Sequence, residues 1–222
     1  MHLSPETLYQ SCLDYCGKIR NPSLRDCCGR ILRDYHDKLI ECPGSPGNHH
    51  NYPGGLIQHI HGVTRNAWAI LRAYPDLEVD SDLVLFGGLL HDVGKTVTYG
   101  MEDGETVFRG NSDALLGHTY FGVHIVQTYL DEYDLAEAFK YQVLHMIGSH
   151  MKEYGDGCVL CRPKMLEVVI VNFADNSDAL LTFGIDVLRS MEKGEGREAK
   201  GAGLYLYKSM NPCFLPEDRQ QE

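Results

Sequence analysis

The sequence predicts an all-α fold with one short β-hairpin at about residues 96–108. Three observations carry this. Apolar residues recur at three- and four-residue spacing along nearly the whole chain, the mark of amphipathic helices. Helix starts and stops punctuate that pattern, with Asn21-Pro22 and Asp134 at starts and Cys42-Pro43-Gly44 and Tyr74-Pro75 at stops. Strand-like residues cluster only within residues 95–113, where Thr96-Val97-Thr98-Tyr99 and Thr106-Val107-Phe108 flank the turn-like Glu102-Asp103-Gly104.

The first helix is expected from about Pro5 to Ile19, with Leu8, Cys12, Tyr15, Cys16 and Ile19 on one face. Asn21 caps a second helix with Pro22 in its first turn. It carries Leu24, Cys27, Cys28, Ile31, Leu32, Tyr35 and Leu39 without a break to Cys42. The Gly- and Pro-rich stretch from Pro43 to Gly55 reads as an irregular, fixed loop. A third helix carries Leu56, Ile60, Val63, Ala67, Ile70 and Leu71, and a fourth runs from near Ser81 to His91-Asp92. After the hairpin, a fifth runs from about Leu116 to Tyr133. Asp134 and Glu137 form a capping box for a sixth. Pro163 opens a seventh through Val169, Ile170, Phe173, Ala174 and Leu181. Residues 192–203 are charged, low in complexity and expected to be mobile. The division is an N-terminal helical extension over 1–48, a main domain over 49–190 and a C-terminal segment over 191–222.

Composition narrows the function. The chain has 222 residues, 43% of them hydrophobic and 23% charged, which suits a globular domain with a sizeable core. No run approaches the ~20 apolar residues of a membrane span, and the N-terminus lacks a secretory pattern. No membrane association is expected. A net charge of -11 argues against wide electrostatic capture of nucleic acid. Cys12, Cys16, Cys27 and Cys28 lie at helical spacing on apolar faces, as free cysteines of a reduced, cytoplasmic protein do. Cys158 and Cys161 form a C-x-x-C that resembles half a zinc site, but neither Cys42 nor Cys213 has a nearby second ligand to complete it.

The chemistry sits in the histidines and acids. His91 and Asp92 close the apolar run Leu83 to Leu90, where unpartnered polar groups are costly. A divalent metal satisfies both side chains, although a helix-end hydrogen-bond pair does as well. His59 lies on the buried stripe of the third helix, His118 opens the fifth behind Gly117, and His150 ends the sixth. Asp175 lies in the seventh beside Phe173 and Ala174, both expected to be buried. Ionisable residues on apolar faces of four further helices are hard to explain as separate accidents.

The ordered set resembles the HD superfamily of metal-dependent phosphohydrolases, whose fold is a helical bundle. The motifs are His49-His50-Asn51-Tyr52-Pro53-Gly54-Gly55-Leu56 with His59, Leu89 to Lys95, Leu116-Gly117-His118, Leu144 to His150, and Ala174 to Ala179. They are similar to the catalytic domain of YhaM-type 3′→5′ exoribonucleases across residues 49–180. Two features depart from that branch: only about 48 helical residues stand where an OB-type domain is expected, and Met151 stands where a second histidine is usual.

The resemblance implies His59, His91, Asp92 and Asp175 as ligands of one ion. Asp92 bridges to a second held by His118 and His150. The cofactor is then two divalent ions drawn from Mn, Fe, Ni, Co, Zn or Mg, which ~3.5–4 Å apart activate a water and clamp a phosphoryl group. Lys95 is a catalytic and phosphate-contact candidate, and Asp178 an outer carboxylate orienting a ligand histidine. His145 matches the family run but lies about 140° round the helix from His150, so it belongs to the surroundings rather than to the ligands. His49 and His50 are read as phosphate or outer contacts, and Arg109 and Lys152 as substrate contacts. His2, His36, His61 and His124 look incidental.

The expected function is a hydrolase, a phosphodiesterase or phosphatase acting on a nucleotide or short oligonucleotide. Its partner is thus a phosphorylated small molecule or short nucleic acid, and a homo-oligomer stays open. Three alternatives stand beside it: a YhaM-like exoribonuclease on longer RNA, a di-iron oxygenase on the same fold, and a degenerate regulatory module.

Overall fold

The computed structural model describes residues 3–45, 50–102, 105–108, 112–151, 160–199 and 204–210. The chain forms two compact units, Met1–Ala179 and Leu180–Glu222. Helices dominate, and the only sheets among the described residues are two separate antiparallel hairpins. The all-α reading with short β elements holds.

The first two helices begin where a side chain can satisfy their first backbone N–H groups. Helix α1 (Pro5–Cys16) starts behind Ser4, whose side chain accepts from the Thr7 amide. Helix α2 (Pro22–Asp34) starts behind Asn21, which accepts from the Leu24 amide at 3.1 Å. The unbroken second helix is corrected here. At Tyr35 the backbone leaves helical geometry (φ -103°, ψ 9°), and α3 (His36–Glu41) follows as a separate turn. An apolar stripe reads the same on both sides of such a break, so periodicity alone does not reveal it.

Helices α4 (Gly55–Ala73) and α5 (Ser81–Leu90) pack together in the core. Every residue of α5 after Ser81 is buried, and each buried leucine or phenylalanine contributes about 1.5–3 kcal/mol. Its buried carboxylate, Asp82, accepts the Arg20 and Asn21 amides at 3.1 and 2.8 Å and pairs with the Arg20 guanidinium. The α1–α2 junction is thereby fixed to the start of the helix that delivers His91 and Asp92.

Thr96 to Thr98, expected in the first hairpin strand with Tyr99, belong instead to a helical turn, α6 (Lys95–Thr98). The hairpin itself is present but displaced: β1 (Tyr99–Glu102) pairs with β2 (Glu105–Phe108), Tyr99 opposite Phe108. The Lys95, Thr96 and Val97 amides bond back to Asp92, Val93 and Gly94, so the turn continues the chain out of the His91-Asp92 corner.

Helix α7 (Ser112–Leu130) bends at Gly117 (φ 71°, ψ 153°), immediately before His118. Helix α8 (Glu137–Gly148) starts at Glu137 behind Ala136, with no side-chain cap, so the expected Asp134 capping box does not form. Its helix also stops two residues short of His150. Helix α9 (Leu166–Arg189) carries Asp175 and Asp178.

Two expectations are overturned, that Phe173 is buried and that strands are confined to residues 95–113. Phe173 is 63% exposed, not buried. Among the described residues, α9 is also long and apolar enough to cross a membrane by length and composition, although it delivers two carboxylates to a buried polar cluster. Residues 192–203 include strand β3 (Gly196–Ala199), which pairs with β4 (Leu204–Tyr207). Lys208 donates to the Met191 carbonyl beside this second hairpin.

Candidate metal centre

The five histidine and aspartate positions singled out along the sequence, with Asp92, meet in one buried cluster. His91 and His150 have no exposed surface, and Asp92 is 2% exposed. His59 comes from α4, His91 and Asp92 from the end of α5, His118 from the α7 bend, His150 from beyond α8 and Asp175 from α9.

Asp92 divides the cluster. Its Oδ2 faces Nε2 of His59 and of His91, each at 3.4 Å, while its Oδ1 faces Nε2 of His118 at 3.4 Å and of His150 at 3.7 Å. On the first side Asp175 Oδ1 lies 3.1 Å from His59 Nε2, and the two histidine Nε2 atoms lie 3.3 Å apart. Ligand atoms of His59, His91 and Asp175 converge within 4.8 Å of one another, as do those of Asp92, His118 and His150. One oxygen of the Asp92 carboxylate thus faces each pair of histidines.

The far side of each ring explains its orientation. His91 Nδ1 lies 3.1 Å from the Gly88 carbonyl, and His150 Nδ1 lies 2.8 Å from that of Ile147. Carbonyls accept only, so these Nδ1 atoms carry the proton and Nε2 presents its lone pair inward. His59 Nδ1 instead meets a carboxylate, Asp178 Oδ2, at 2.8 Å. Asn172 donates to the His150 carbonyl at 2.6 Å and fixes that segment against α9.

Glycines allow the approach. A Cβ on Gly94 would overlap the His118 carbonyl, so the corner after Asp92 can lie directly against the α7 bend only with glycine there. Gly117 holds a backbone conformation that side chains rarely adopt. The glycines of His91-Asp92-Val93-Gly94 and Gly117-His118 are therefore what bring the two motifs together.

Among the described residues the buried Asp92 Oδ1 and His150 Nε2 have no hydrogen-bond partner, a costly state for two polar atoms that face each other. Nitrogen and carboxylate donors around a shared bridging carboxylate suit divalent transition metals, so these residues fit such ions. The electrostatics agree. Burial opposes charge on Asp92, yet Lys95 and the surrounding histidines hold its carboxyl well below the usual range. Burial opposes the Asp175 carboxylate too, but the bond and charge of His59 bring it down to about 2. Burial pushes the His118 imidazole down to about 3, so it is neutral and available as a ligand. His59 is the exception: burial disfavours its cation, but Asp175, Asp178 and Asp92 raise it well above the ordinary value. A metal ion must displace that proton.

Lys95 lies inside this centre rather than in solvent. Its Nζ sits 2.6 Å from Asp92 Oδ2 and donates to the Gly44 carbonyl at 2.7 Å. His145 turns elsewhere, its Nδ1 near Ser149 Oγ and Cys161 Sγ and its Nε2 accepting from the Lys164 amide. His50 is buried, with its Nε2 on Asp178 rather than open to a substrate. His49, Arg109, Lys152 and Cys158 lie outside the described residues. Asn172 was not singled out in the sequence, although its place three residues before Asp175 on an otherwise apolar helix face marks it.

No solved structure matches the chain. A family model for the HD domain matches residues 56–180. That span is more than half of the chain and contains all six residues of the cluster: this protein belongs to the HD-domain family.

Proposed function

We propose that this protein is a metal-dependent phosphohydrolase that cleaves a phosphoester of a nucleotide or short oligonucleotide. The observation that carries the reading is the division of Asp92, with one carboxylate oxygen toward His59 and His91 and the other toward His118 and His150. His59, His91 and Asp175 would hold one divalent ion and His118 and His150 another, with Asp92 between them. Two such ions, when bound, supply a water of lowered pKa and neutralise charge on the phosphoryl oxygens.

The chain's own residues do the rest. The Gly88 and Ile147 carbonyls lock two imidazoles with Nε2 inward. Burial keeps His118 neutral at working pH. Lys95, tied to Asp92 by a single ion pair at the edge of the loop that carries Gly44, is the cation placed to turn toward a phosphate oxygen. Asp178 fixes His59 from behind. The nucleotide-sized substrate rests on two facts: the site is deep, and the net charge of -11 gives little attraction to long polyanions. The thiols of Cys12, Cys16, Cys27 and Cys28 are free and buried, as a reduced cytoplasmic setting would have them.

The test is metal analysis of freshly purified protein, followed by a phosphoester screen with the metal found. Protein that binds none of Mn, Fe, Co, Ni or Zn, or that binds metal yet releases no phosphate or nucleotide from any substrate, overturns the reading.

A further inference from the structure

Behind the metal centre stands a second layer of titratable side chains, in which His50 is the least expected member. Its backbone is left-handed, with φ 58°, the one described non-glycine residue at positive φ. Glycine adopts that conformation without steric cost, and an imidazole does not. The side chain that stands there is 2% exposed and points at a carboxylate, with its Nε2 2.9 Å from Asp178 Oδ2. The same oxygen lies 2.8 Å from His59 Nδ1. On its outer side His50 Nδ1 lies 3.0 Å from the Tyr52 hydroxyl, which donates to Gln58 Oε1 at 2.9 Å. Space is cleared for this row: a Cβ on Gly62 would overlap the Asp178 carboxylate, and one on Gly55 the His50 carbonyl.

Resting on the reading of the cluster as a di-metal centre, we propose that His50 is a positioning residue that acts through Asp178 to set the orientation and donor strength of His59. Asp178 Oδ2 is shared between two imidazoles, so the place of the carboxylate, and with it the tilt of His59, depends on the bond from His50. A carboxylate behind a ligand imidazole raises its basicity, whereas a backbone carbonyl does so less. His91 and His150 have carbonyls behind them. The two metal positions are therefore unlike: on the His59 side one of the two imidazoles is tuned by a row of side chains reaching to Tyr52, whereas His150 on the other side is held by a backbone carbonyl. This assigns His50 away from the substrate and to the metal.

The experiment titrates Co²⁺ into metal-stripped wild type, His50→Leu, His50→Gln and Asp178→Asn, reading stoichiometry by calorimetry and ligand geometry by the visible spectrum. Wild type is expected to take up two equivalents. His50→Leu should weaken one of them by roughly ten- to a hundredfold and leave the other unchanged. His50→Gln, whose amide can donate near the Nε2 position, should recover much of the loss, and His50→Leu combined with Asp178→Asn should be no worse than Asp178→Asn alone. Circular dichroism identifies any variant that fails to fold, and His50→Gln then decides. Two unaltered equivalents in a folded His50→Leu or His50→Gln overturn the inference while leaving the phosphohydrolase reading intact. Wild type that binds cobalt as described but hydrolyses no phosphoester defeats that reading while the positioning role stands. Wild type that takes up no cobalt defeats both.

Discussion

A metal ion at the cluster would compete with the Lys95 ammonium for one oxygen of Asp92. The Lys95 ammonium pairs with Asp92 Oδ2 at 2.6 Å, the oxygen that faces His59 and His91. Asp92→Ala removes the carboxylate shared by both halves and should abolish turnover and metal binding together; retention of two metal equivalents would show that Asp92 is not the bridge. Lys95→Ala should behave in the opposite way toward metal, retaining or improving binding because a competing cation is gone. Its turnover should fall roughly ten- to a hundredfold, since a charge-assisted contact to a phosphate contributes ~1.5–3 kcal/mol. Unchanged kinetics on the best substrate would remove Lys95 from the reaction. His36, incidental in the sequence, is a further residue whose role the fold supplies. It bonds Asp37 at 2.8 Å and Glu6 at 3.0 Å, tying α3 to α1. The bonds to Asp37 and Glu6 raise its pKa above the ordinary value. Because the folded form binds its proton more tightly, its contribution to stability is full below about pH 6.5 and is lost as pH rises through the raised value. Urea unfolding of wild type and His36→Gln should therefore differ near pH 5.5 and converge near pH 9; a constant difference would show that the ring acts by packing alone.

At the scale of the elements, the bends matter as much as the helices. Gly117 (φ 71°, ψ 153°) redirects α7 so that His118 faces Asp92, and alanine there should cost about 1–3 kcal/mol in urea unfolding. The same variant should bind metal less tightly on the His118 side; an unaltered midpoint and unaltered binding would show that the bend is imposed by packing rather than permitted by glycine. The α1–α2 seam gives a chemical test. Burial pushes the Cys12 and Cys27 thiols up to about 12, and Cys28 is raised as well, first by burial and then by Cys16. Reactivity belongs to the thiolate, so these thiols should resist alkylation at pH 8 in the folded protein and react once it is unfolded. Rapid labelling of Cys12 or Cys27 in native protein would refute their burial. Elements marked by side-chain chemistry were legible in the sequence: Asn21-Pro22 starts α2, and the apolar runs become α4 and α5. Features decided by tertiary context were not. The break at Tyr35 interrupts a stripe that reads as continuous, and Thr96 to Thr98 are β-favouring residues held in a turn by amides bonding to Asp92, Val93 and Gly94. The clustered histidines and acids were legible because ionisable side chains on apolar faces are conspicuous. His50 was not, because its role depends on Asp178, far along the chain, meeting it in the fold.

For the whole molecule, the disposition of charge bears on substrate length. The net charge of -11 is accompanied by cations already committed to acids: Arg20 to Asp82, Arg30 to Glu132, Lys95 to Asp92, Lys140 to Glu137, Arg189 to Asp186 and Arg197 to Glu195. The exposed pairs among these add little stability, but all of them cancel part of the positive field that would guide a polyanion. Grip on a long single strand draws on a basic groove with aromatic platforms for successive bases. The centre itself is recessed, with His91, Asp92 and His150 almost wholly shielded. A phosphoester at the end of a short molecule reaches such a site at less cost than one that must bring a long charged strand against an acidic surface. Dinucleotides to short oligomers, or single nucleotides, should thus show higher kcat/KM per cleavable end than RNA tens of nucleotides long. The comparison is a 3′-trimming length series at fixed salt with saturating Mn²⁺, repeated at two ionic strengths. Weak salt dependence for the shortest substrates is expected, since few phosphates contact cationic side chains. A steady rise of kcat/KM beyond about six nucleotides, with a steep salt dependence, would reject the short-substrate reading and favour an exoribonuclease that acts on long RNA.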